Sequence, residues 1–104
     1  MPDLYFHRGL LLLDRGELQG ARKEFLAAVD EASRSGFAEG REEILVNSHN
    51  DLGIVAWTEG NYLEALRWLR LAEEEQTRFG GNWVPDLTAN RQRLEAIIAS
   101  LPVR

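Results

Sequence analysis

HNDLGIVAWTEGNYLEALRWLRLA, residues 49–72, sets a glycine turn at Gly60 between two stretches that mirror one another about Glu59. Gly53 and Ala65, Ala56 and Tyr62, and His49 and Leu69 each lie equally far from that centre, as facing residues do in an antiparallel helical hairpin. Residues 5–28 repeat the plan about Arg15, with Gly9 facing Ala21, Leu12 facing Leu18 and Tyr5 facing Phe25 across a turn at Gly16. In both copies the smallest pair lies between two larger ones. Gly and Ala leave room where two backbones approach closely, and the larger side chains fill the wedges to either side.

The two copies stand 44 residues apart: Gly9, Gly16, Ala21, Ala28, Glu31, Arg34 and Gly36 recur as Gly53, Gly60, Ala65, Ala72, Glu75, Arg78 and Gly80. This order of residues resembles the tetratricopeptide repeat, whose pattern runs aromatic, Leu-Gly, aromatic, Ala-x3-Phe, small residue, Pro. Tyr5, Gly9, Leu12, Ala21, Phe25 and Ala28 carry the resemblance in the first copy; Leu52, Gly53, Tyr62, Ala65, Leu69 and Ala72 carry it in the second. Ser33 and Thr77 stand where the family has its closing Pro, so nothing stops the second helix of each pair from running on to Gly36 and Gly80. The longer unit is similar to those of kinesin light chains and of bacterial regulators with helical sensor domains. The resemblance implies an all-α, five-helix, right-handed superhelical stack: repeat 1 over residues 3–36, repeat 2 over 41–80 and a capping helix over 85–101.

Composition narrows the function. A chain of 104 residues, 44% hydrophobic, makes one domain with its own core. A net charge of -5 disfavours nucleic acid as a partner, because phosphate binding rests on a Lys/Arg surplus. Absence of cysteine removes thiol catalysis and thiolate metal sites. The Leu10–Leu13 run, ended by Asp14 and Arg15, is too short to span a bilayer, and no secretory leader is legible, so the expected location is the cytoplasm. No cofactor is expected.

The periodicity predicts helices over about 3–15, 17–35, 41–59, 61–78 and 85–101, with Asp3 capping the first and the SGFAEG segment joining the repeats. The second helix turns Leu18, Ala21, Phe25 and Ala28 inward and leaves Arg22, Lys23, Asp30 and Glu31 as a solvated face. The fourth turns Tyr62, Ala65, Leu66, Leu69 and Ala72 inward and the acidic cluster Glu73–Glu75 outward. Leu87, Leu94, Ile97, Ile98 and Leu101 form the inner stripe of the fifth, with Arg91, Gln92, Arg93 and Glu95 facing out.

In the tetratricopeptide family the first helix of each pair lines the concave face. The resemblance therefore implies a groove formed by Phe6, Leu10, Leu13, Asn47, Asn50, Asp51, Ile54 and Trp57. An Asn amide both donates and accepts, which suits a peptide backbone, although the same asparagines also read simply as exposed polar residues. Trp57 is the candidate recognition anchor, while Trp68 covers the back of the second helix or a partner and Trp83 anchors its loop. The Lys and Asn clamp with which some family members hold a carboxylate is missing, since Phe6, Leu10 and Asp51 occupy its positions.

The two histidines give no catalytic or metal pattern. His49 and Asp51 are two apart on a helix and point away from each other, and no His-x3-His or Glu-x2-His spacing occurs. The expected function is a non-enzymatic interaction module that binds a protein or peptide in its groove. A regulatory or sensor fragment of a transcription-control system and a small hydrolase using His7 or His49 are the alternatives. Finally, Leu4, Phe6, Leu10, Leu11 and Leu13 cannot all face the second helix, and two repeats fall short of the three that solenoids generally need, so a homodimer through the first helix is expected.

Overall fold

Five helices follow one another in the structure, a computed structural model that describes residues 2–34, 36 and 40–102: α1 (Pro2–Asp14), α2 (Leu18–Arg34), α3 (Arg41–Thr58), α4 (Tyr62–Phe79) and α5 (Leu87–Ala99). The Asp3 side chain, Ser35 and positions 37–39 of the connection lie outside the described residues, and with them the expected first cap and the end of the second helix. No strand occurs among the described residues. The helices form two hairpins, α1 with α2 and α3 with α4; α2 packs on α3, and α5 closes against α4. The molecule measures 45 × 31 × 20 Å, and its shortest dimension is that of two helix layers.

Both hairpin turns have one construction. Gly60 takes a φ of 81°, its N–H donates to the Trp57 carbonyl at 2.9 Å, and the Asn61 N–H reaches back to Ala56 at 2.8 Å. Gly16, with φ 75°, repeats this with Leu13 at 3.0 Å, while Glu17 bonds Leu12 at 2.8 Å. A left-handed residue after the last helical turn closes the orphan carbonyls in this way, and it is a position that favours glycine.

Close approach explains the other paired glycines. A Cβ on Gly53 would lie 2.9 Å from Leu69 Cδ2 and 3.3 Å from the Ala65 carbonyl oxygen, so the expected facing of Gly53 and Ala65 is realised. At Gly9 the obstacle is the Phe25 ring, at 2.5 Å, rather than Ala21. Two apolar clusters follow. Ala21, Phe25, Leu52 and Val55 tie the first hairpin to α3, with Phe6, Leu12, Leu13 and Leu18 packed around them. Val46, Ala56, Ala65, Leu66, Leu69, Ala72, Leu87 and Leu94 tie α3, α4 and α5 together, with Trp57 and Trp83 at their edge. Trp68 touches both clusters and so joins the two hairpins.

The helix charges depart from expectation in three places, for one reason. Arg22, expected in a solvated face, is half-buried: its guanidinium pairs with Glu64 and, at 2.5 Å, with Glu59 of the second hairpin. The Glu73–Glu75 cluster does not point outward as a unit. Glu75 is 6% exposed, Glu73 binds Arg91 at 2.7 Å and Thr88 at 2.6 Å, and only Glu74 is exposed. Arg91 and Glu95, expected on the outer face of α5, form ion pairs with α4 through Glu73 and Arg70. A charge pattern on one helix reports which side is polar, not whether the next element covers that side. The fifth helix also ends at Ala99, leaving Leu101 exposed beyond it.

Candidate functional site

The candidate groove follows from the way α3 is enclosed. Packed between α2 and α4, α3 buries Leu45, Val46, Ser48, His49, Leu52, Gly53, Val55 and Ala56. At ~100° per residue these occupy slightly more than half its circumference. The remaining strip carries Asn47, Asn50, Asp51, Ile54 and Thr58, and α1 also touches α3.

The expected groove residues divide on this frame. Leu10 is exposed and lines a surface depression with His7, Leu11, Leu13 and Asp14. Phe6 lies against Phe25, ring centroids 5.8 Å apart, and Leu13 packs on the same inner cluster, so both contribute to the core. Trp57 is partly buried against the α3–α4–α5 cluster, which makes it a wall of the scaffold. Asn47 donates its amide to the Glu43 carbonyl at 2.9 Å, within its own helix. Asn50 donates to Asp51 at 3.5 Å while its Oδ1 is enclosed without a partner. Loss of water around Asp51 pushes its carboxyl up to about 7, the Asn50 bond opposing this.

His49 and Glu75 make the second polar feature, and it is internal. The imidazole Nδ1 and the Glu75 carboxylate share a hydrogen bond of 2.5 Å, both residues are 6% exposed, and Trp68 stacks on the imidazole at 5.5 Å and 16°. The Trp68 indole N–H donates to Glu64 at 3.0 Å, and Glu64 pairs with Arg22. The hydrogen bonds of the Glu64 carboxylate to Arg22 and Trp68 hold its pKa below the usual carboxylate range. His49 is therefore a core residue whose partner comes from α4, and Asp51, two residues on, takes no part in the pair. Recurrence of Glu31 as Glu75 was the available signal, since a carboxylate held at one place in a repeat marks a recurring environment.

Among the described residues no group of three or more His, Cys, Asp or Glu could hold a metal ion, and no helix is long and apolar enough to cross a membrane. Comparison with family models, curated proteins and solved structures returned no match to the chain.

Proposed function

We propose that this chain is a non-catalytic interaction module of the tetratricopeptide type, which holds a peptide or a partner helix along the open strip of α3 beside α1. The observation that supports this best is the composition of that strip. Asn47, Asp51 and Ile54 follow one another along one face of about two helical turns, offering a donor-acceptor amide, a carboxylate and an apolar contact on a helix held from both sides. The rival chemistry, a His-Glu pair, is enclosed under Trp68, where a substrate has no access to it. Panning a phage-displayed random-peptide library against the wild type, with Asn47→Ala/Ile54→Ala as the counter-screen, tests the proposal. Peptides retained by the wild type and lost by the variant are expected; equal retention rejects the groove.

Self-association is a second reading, and one comparison within the chain favours it. At the 44-residue offset Leu4 and Leu11 of α1 correspond to Ser48 and Val55 of α3, both 0% exposed, Val55 in the cluster that ties α3 to the first hairpin. Leu4 and Leu11 are 52% and 60% exposed. The α1 face is thus built like a covered one. A second copy, joined about a two-fold axis, is the commonest closed arrangement and would cover it. Light scattering at micromolar concentration is expected to give twice 11.8 kDa, and a mass of 11.8 kDa rejects the dimer.

A further inference from the structure

We infer that Asp51 is the counter-charge for a basic side chain, lysine or arginine, of a peptide lying along the α3 strip, because its carboxylate stands on that strip held only by the neighbouring Asn50 amide. The inference rests on the groove proposed above and names the chemistry of its occupant.

Several partly buried carboxylates elsewhere in the chain meet a cationic or imidazole partner that joins elements. Arg22 holds Glu59 and Glu64, Arg91 holds Glu73 and Glu95, and His49 holds Glu75. Asp51 has no such partner: among the described residues its one hydrogen bond is the 3.5 Å contact from Asn50, and no Lys, Arg or His nitrogen pairs with it. Asn50 offers it only a neutral amide N–H, and the Asn50 oxygen is an acceptor that adds nothing to a carboxylate. What the carboxylate lacks is a donor that brings positive charge.

The surroundings favour that donor. Along its length α3 carries Glu42, Glu43 and Asp51 against a single Arg, Arg41 at its first position, and the depression on α1 is lined by Asp14 together with His7. The local field therefore attracts a cation and repels an acidic segment or a free C-terminal carboxylate. Ile54, three residues on, presents an aliphatic surface of the kind along which the stem of a Lys or Arg side chain lies while its head reaches a carboxylate. The partial loss of water that raises the Asp51 pKa is also what makes a desolvated charge pair there stronger than one on an open surface.

The test uses the peptides selected by panning. Sequences retained on the wild type are expected to share a Lys or Arg at one position, and the synthetic peptide should bind Asp51→Asn about 30-fold or more weakly by calorimetry. Replacing its basic residue by Gln should produce the same loss on the wild type and little further loss on the variant. This peptide-side replacement reads the pairing without altering the protein, and comparing Lys with Arg versions identifies the preferred head group. Selected peptides with no shared basic position, or Asp51→Asn binding within about twofold of wild type, would overturn the inference and leave the groove standing. Equal retention by Asn47→Ala/Ile54→Ala would instead remove the groove and this inference with it.

Discussion

Replacing Asp51 by Asn keeps the shape of the side chain and removes its proton equilibrium, so the difference between variant and wild type isolates what the carboxylate does to folding. In the folded chain loss of water pushes the Asp51 carboxyl up to about 7, against 3.8 for an aspartate in water. The sign follows from the order of these values. Below about pH 4 both states carry the proton and Asp51 has no effect on stability; as pH rises toward about 7 the unfolded chain ionises first, and stability falls. Above about 7 the loss is complete. The gap corresponds to roughly 4 kcal/mol at ~1.4 kcal/mol per pH unit, and the water contact that the carboxyl retains brings the expectation nearer about 2 kcal/mol. Urea unfolding followed by far-ultraviolet circular dichroism measures it. At pH 8 the variant midpoint should lie roughly 1 to 2 M above wild type, and at pH 4 the two should coincide. A variant no more stable than wild type at pH 8, or an advantage unchanged at pH 4, refutes the assignment of Asp51 as a desolvated carboxylate without a counter-charge.

His49→Phe should lower stability by about 2 to 4 kcal/mol, because it strands Glu75 in the core; adding Glu75→Leu should recover much of that loss in thermal melts. Gly53→Leu should cost on the order of 1 to 3 kcal/mol in denaturant titration, since even its Cβ would press on Leu69 and the Ala65 carbonyl. Ser48→Ala should be neutral or stabilising by up to about 1 kcal/mol, as the Ser48 hydroxyl is enclosed and unpaired. Leu4→Glu with Leu11→Glu should return the protein to a mass of 11.8 kDa in light scattering at an unchanged helical signal, whereas a dimer mass retained by this variant would place the interface elsewhere.

The hairpins were legible in the sequence because their determinants are local. A glycine that must adopt positive φ, and small residues placed symmetrically about it, act over a few helical turns, and Gly16, Gly60 and Gly53 sit where that logic puts them. Where the ends lie among the described residues, helix boundaries fell within one or two residues for the same reason. The inward stripes of α2 and α4 were equally readable, since Ala21, Phe25, Ala65, Leu69 and Ala72 recur at helical spacing. The polar contacts were not. His49 meets a carboxylate 26 residues on, and Arg22 reaches Glu59 across 37 residues and a hairpin junction. Such pairs depend on how hairpins are placed against one another, which periodicity along one helix does not encode. The candidate site divides in the same way. That α3 would present Asn47, Asp51 and Ile54 together follows from their spacing, but the packing of α2, α4 and α5 decided that Trp57 and Phe6 serve the core and that Asp51 is left on the strip without a cation.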